Sequence, residues 1–126
     1  MLSSFSTGQP EPDLRKYAPL PEFLGYVWLG DLARTRMVLD NPLARERLLN
    51  EIDPITGMNA LHIAVGRNNL EIARLLVEAG IKFIPDNEGR MPSLIAALCD
   101  VSEELVDYIL DAEGKAILPE DTEQQP

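Results

Sequence analysis

One histidine, one cysteine and several adjacent carboxylates are the groups in this chain whose types could do chemistry. A histidine acting as a general base needs a nucleophile within hydrogen-bond reach and a third group to orient it. His62 has no serine or cysteine motif around which such an arrangement could be built. A zinc site of the usual kind needs several thiolates or imidazoles, and Cys99 and His62 are the only residues of their types. Glu103 and Glu104 are adjacent in a helical run and so point apart, which is wrong for a two-carboxylate site. Gly25, Gly30, Gly57, Gly66, Gly80 and Gly89 fall singly and read as helix ends and turns, not as a phosphate-cradling loop. These residues predict no catalysis, no cofactor and no metal. His62 is expected to be structural and Cys99 to be a half-buried structural thiol.

The bulk numbers point the same way. The chain has 126 residues, enough for one domain, and 45% of them are hydrophobic, enough for a modest core. The formal net charge is -10. That disfavours nucleic acid and anionic membrane surfaces, and favours a protein partner with a basic surface. The charge is uneven. From Asp100 onward nine acids face one base, Lys115. This reads either as a solvated helix face with an acidic tail or as a surface that docks a basic partner. Arg34, Arg36, Arg45 and Arg47 are expected on an outer face near the other end. The resulting bipolarity would permit weak head-to-tail association of an otherwise monomeric chain. A lone cysteine allows no internal disulfide and suits a reducing compartment. Residues 1–12 lack a basic segment followed by an apolar run, and no stretch reaches the length of a membrane helix. A cytoplasmic protein is expected.

The elements that would position these residues are helical. Asp31, Asn59, Asn69 and Ser102 each precede an apolar-periodic run and can accept a hydrogen bond from an orphan helix amide. Asn41-Pro42 is a fifth start, with proline at the tolerated first position. Gly80 follows Leu75 to Ala79 as a C-terminal glycine should. Residues 1–20, rich in Ser and Pro, read as an extended or partly disordered arm, pinned in part through Leu14, Tyr17 or Leu20. Residues 118–126 read as an acidic disordered tail.

Between the two ends the chain repeats itself. At a spacing of 33, Asp53 meets Asp86, Leu61 meets Leu94, and Ala64 meets Ala97. Leu75, Leu76 and Val77 meet Tyr108, Ile109 and Leu110 in the same register. A register held over most of a unit marks a solenoid. Gly30 to Leu39 aligns with Asn68 to Val77 at a spacing of 38, and the surplus residues predict a short extra helix over 43–50.

Asn59-Ala60-Leu61-His62-Ile63-Ala64-Val65 resembles the signature that opens the first helix of an ankyrin repeat. Asn69 to Gly80 is similar to that family's second helix with its closing glycine. Met91 to Ala97 is a weaker match that lacks the histidine, with Val101 where the first helix would close on glycine. The resemblance implies an all-α fold: a short ankyrin-repeat solenoid of stacked helix-turn-helix units with degenerate terminal repeats. The domain would span 21–117, in units of about 21–52, 53–85 and 86–117. In the family, the histidine ties adjacent loops through hydrogen bonds.

The resemblance also implies a function, a protein–protein interaction module acting as adaptor or regulator. Its surface would be the turn tips and the concave helix ends. Carried onto this sequence, the partner-binding residues are Trp28, Leu29, Ile55, Met58, Arg67, Glu88, Arg90 and Asp100. Pro54, Asn87, Gly66 and Cys99 fall at neighbouring positions. Trp28, the only tryptophan, is of the type most enriched in binding hot spots, but packing by the core or the arm would account for it equally. Ile55 and Met58 likewise suit an interface or burial against the next turn. The alternative function is an acidic inhibitor or immunity-type protein that occupies a basic, nucleic-acid-binding or toxin-like target.

Overall fold

Short polar side chains start most of the helices. The Asp31 carboxylate accepts from the Arg34 amide, Asn41 from Leu43 and Ala44, Asn59 from His62, Asn69 from Ile72, and Ser102 Oγ from Leu105. These are the five starts expected from capping chemistry. Two further helices begin at Glu22, after Pro21, and at Pro92. The computed structural model describes residues 20–117. Most of the expected N-terminal arm, with Leu14 and Tyr17, and the expected tail at 118–126 lie outside the described residues. Leu20 is half-buried against the core.

Seven helices follow in order among the described residues: α1 (Glu22–Leu29), α2 (Leu32–Asp40), α3 (Pro42–Leu48), α4 (Ala60–Gly66), α5 (Leu70–Glu78), α6 (Pro92–Leu98) and α7 (Glu103–Ile117). The described residues contain no strand, only an isolated bridge between Ile52 and Asn59. Helix α1 pairs with α2, α4 with α5, and α6 with α7. The first helices stack as α1, α4, α6 and the second helices as α2, α5, α7, with α3 against α2. This is the expected all-α solenoid of helix pairs, and α3 is the expected extra helix.

Helix α4 lies at the centre of the stack. Its residues 60–65 are all buried, because α1, α5 and α6 surround it. Phe23, Leu24 and Val27 of α1, Ile72 and Leu76 of α5, and Leu105 and Ile109 of α7 complete the core. The small residues Ala60, Ala64, Ala73 and Ala96 are buried where helices approach each other.

The 33-residue register needs correction. Gly57 and Gly89 hold matching left-handed turn conformations at a spacing of 32, because the Asp86 turn is one residue shorter than the Asp53 turn. The first helices inherit that shift. Ile63 and Ala64 correspond in burial to Ile95 and Ala96. Leu94 and Ala97 are exposed although their counterparts His62 and Val65 are buried, because among the described residues α6 packs chiefly against α4 and α7, whereas α4 is enclosed by α1, α5 and α6. Leu94 does not repeat Leu61. It is 43% exposed, whereas Leu61 is fully buried. Val101 then restores the spacing to 33. It does not close the first helix. Asp100 does, at φ 56°, as Asn68 does at φ 58° and Gly30 at φ 72°. Asn and Asp tolerate this left-handed region better than other non-glycine residues. Gly25 also departs from expectation, lying inside α1 with no neighbour within 4 Å of an added Cβ.

The two registers predict different mutant stabilities. Leu61→Ala should cost about 2–5 kcal/mol in urea unfolding, the range for a fully buried leucine. Leu94→Ala should cost under about 1 kcal/mol. Equal costs would place Leu94 in the core with Leu61.

Candidate functional site

Aspartates organise the turns between helix pairs. Asp53 accepts from the Ile55 amide at 3.3 Å and from Thr56 Oγ1 at 2.7 Å. Asp86 accepts from the amides of Glu88 and Arg90, at 2.8 and 2.9 Å, and from Arg90 Nε at 2.9 Å. Burial of Asp86 opposes its charged form, but these hydrogen bonds and the Arg90 charge outweigh that and hold its carboxyl below the ordinary aspartate value. The turns also interlock. The Asn87 amide donates to the Thr56 carbonyl and its side-chain amide to the Ile55 carbonyl. A Cβ at Gly57 would run into Asn87, so that position needs glycine for space as well as for its φ of 77°.

His62 joins the helices to the turns. It is buried at the first turn of α4, where Nδ1 accepts from the Asn59 amide at 3.2 Å. Its Nε2 lies 2.8 Å from the Arg90 carbonyl oxygen. A carbonyl only accepts, so Nε2 carries the proton of the neutral ring. Asn59 Nδ2 adds a second tie, donating to the Lys82 carbonyl at 2.9 Å. This is the loop-tying role that the family resemblance implies for the histidine. The third unit has no histidine at this position, and Glu113 of α7 caps its first helix instead. That carboxylate accepts from the Ser93 amide at 3.0 Å and from Ser93 Oγ at 2.7 Å. Glu113, counted in sequence among the acids of a solvated face, is buried. The only signal for it was a serine twenty residues away, and no local pattern links the two.

The first helices end on a concave recess of about 300 Å³. Trp28 and Arg67 form one wall. The Arg67 guanidinium lies 4.5 Å from the Trp28 ring centroid, and its Nε donates to the Trp28 carbonyl at 3.1 Å. Met58, Ile63, Ile95 and Leu98 supply apolar lining, and Arg90 and Cys99 also border the space. Trp28 is 46% exposed although it is the chain's largest side chain. Leu98, 60% exposed, did not stand out in sequence because its helical spacing reads as core.

The structure brings Trp28, Met58, Arg67 and Arg90 together at this recess and leaves the other expected contact residues outside its lining. Leu29 is 77% exposed, and Asp100 is exposed at the left-handed position. Glu88 is exposed at a turn tip, whereas Ile55 is half-buried and gives its carbonyl to Asn87. Cys99 is exposed, not half-buried, because α6 ends one residue before it. Arg36 and Arg47 are exposed, but Arg45 is half-buried and its Nη1 donates to the Leu39 carbonyl. Among the described residues, no three histidines, cysteines or carboxylates gather as a metal-binding group, and no helix is long and apolar enough to cross a membrane.

Burial holds the His62 ring below the usual histidine value. The unfolded chain therefore takes up a proton near pH 6.5, and the folded chain only at lower pH. Stability should fall as pH drops from about 7.5 to about 5.5. Glu51, whose carboxyl burial pushes up, titrates with the opposite sign. It is unchanged in a His62→Gln variant and serves as an internal control. Urea midpoints should decline with acid in the wild type and much less in His62→Gln. The same decline in both would remove His62 from the account.

Comparison with known proteins adds one family match. A family model for ankyrin repeats, in three copies, matches residues 36–121. No curated protein matches the chain. The matched span contains α4 to α7 and both interlocked turns, and it covers more than half of the chain. The chain belongs to the ankyrin-repeat family.

Proposed function

We propose that the protein is a non-enzymatic adaptor or regulator that binds a partner protein across its concave helix ends and turn tips. Ankyrin repeats are generally protein–protein interaction modules. One observation carries the reading to this surface: the sole tryptophan, half exposed, is held by Arg67 at the edge of an apolar recess. A tryptophan kept out of the core and fixed in orientation loses little entropy on binding. Met58, Arg90 and Leu98 extend the contact, with Leu29, Ile55, Glu88 and Asp100 around it. The exposed single thiol of Cys99 suits action in the reducing cytoplasm. The acids at Glu103, Glu104, Asp107 and Asp111 are exposed on α7 and do not line the recess, so a basic partner surface would meet the outer helices.

Capture of partners from the native host, read by mass spectrometry, tests the proposal. Trp28→Ala should weaken binding by about 2 kcal/mol or more, as hot-spot truncation does. Partner binding should also slow alkylation of Cys99. An unchanged partner set with Trp28→Ala, together with unprotected Cys99 in the complex, would reject this surface.

A further inference from the structure

Three guanidiniums in the described structure lie over aromatic rings: Arg34 over Tyr26, Arg74 over Tyr108, and Arg67 over Trp28. Two of them are completed by a carboxylate. Arg34 meets Asp31 at 2.8 Å and Arg74 meets Glu104 at 3.8 Å. Arg67 has the ring and a backbone carbonyl, but among the described residues no carboxylate lies within ion-pair distance of it. Asp100, the nearest acid in the aligned helix-end positions, does not pair with it. Arg36, Arg45 and Arg47 also lack an ion pair among the described residues, but only Arg67 is held against an aromatic ring at the edge of an apolar recess.

We infer that the Trp28–Arg67 recess recognises an acidic side chain flanked by aliphatic residues on the partner. This rests on the binding surface proposed above and names the chemistry it selects. Stacking on Trp28 and the bond from Nε fix the plane of the Arg67 guanidinium before any ligand arrives. A planar guanidinium matches a carboxylate in two parallel hydrogen bonds, and prior ordering lowers the entropy lost in forming them. Arg90 lines the same recess, but its charge is already paired with Asp86, so Arg67 supplies the guanidinium for the carboxylate. Met58, Ile63, Ile95 and Leu98 provide the apolar surface for the residues beside the carboxylate. A recess of about 300 Å³ is at the small end of ligand pockets and suits a few side chains. The exposed acids of α7 disfavour an acidic segment on that helix.

Three capped tripeptides, Leu-Glu-Leu, Leu-Gln-Leu and Leu-Lys-Leu, serve as probes against the ¹⁵N-labelled full chain. The single indole N–H of Trp28 gives one assignable signal. The glutamate peptide should shift that signal with an affinity about tenfold above the glutamine peptide, as a charged hydrogen bond provides. The lysine peptide should bind more weakly still. Arg67→Gln should abolish the preference for glutamate over glutamine while leaving the amide spectrum folded. Equal affinity for the three peptides, preference for lysine, or no indole shift with any of them overturns the inference. None of these outcomes rejects the binding surface itself, which falls only if host partners ignore Trp28→Ala and leave Cys99 unprotected.

Discussion

Burial of α4 over residues 60–65 is the constraint on which the rest of the structure depends. A helix of seven residues has too few hydrogen bonds to be stable alone, because nucleation costs more than one or two turns return. It persists because α1, α5 and α6 bury its residues 60–65. Its buried residues include His62, a polar ring that needs partners at both nitrogens. The Asn59 amide and the Arg90 carbonyl meet that need. The histidine thereby converts the burial of one helix into a fixed position for the next turn. That turn in turn positions Arg90 at the recess.

The units at either end solve the same problem with different residues. A first helix must close on a left-handed residue before the second begins, and Gly30, Asn68 and Asp100 all do so. A helix that begins inside the stack must have its amides satisfied. Asn59 does this locally for α4, and Glu113 does it for α6 from another helix. What is kept between units is a backbone conformation and a satisfied hydrogen bond, not a residue type. This is why a match by letters weakens toward the ends while the architecture continues.

The same stacking leaves Trp28 exposed. Helix α1 buries Phe23, Leu24 and Val27 against its neighbours, and Trp28 comes next on a helix that turns about 100° per residue. It therefore leaves the core toward the concave side, where Arg67 of the following unit reaches its ring and its carbonyl. A contact between adjacent units becomes part of the surface offered to a partner. Several acids are displayed on α7, while the recess is bordered by Arg67 and by Arg90, whose charge Asp86 pairs. Net charge describes the long-range field, whereas at the recess the Arg67 guanidinium is the local charge without a paired carboxylate among the described residues.

The sequence by itself determined five helices through their polar starts, the helix-ending glycines Gly30 and Gly80, and the repeat that makes the helix pairs stack. Those features are local or periodic: a capping side chain acts within three residues, and an apolar stripe shows at helical spacing. The family resemblance added the loop-tying role of His62 and eight candidate contact residues, of which Trp28, Met58, Arg67 and Arg90 line the recess. Tertiary structure decided what depends on register and on distant partners. The shorter Asp86 turn moved α6 by one residue, so that Leu94 takes the place of His62 and not of Leu61, and the lesser enclosure of α6 left Leu94 and Ala97 exposed. A one-residue change rotates every side chain of a helix by about 100°, and no apolar count detects it when the residues on either side are apolar too. The burial of Glu113, the exposure of Cys99 and the stacking of Arg67 on Trp28 were settled in the same way. Each depends on which helix end faces which neighbour, and that is known only once the units are stacked.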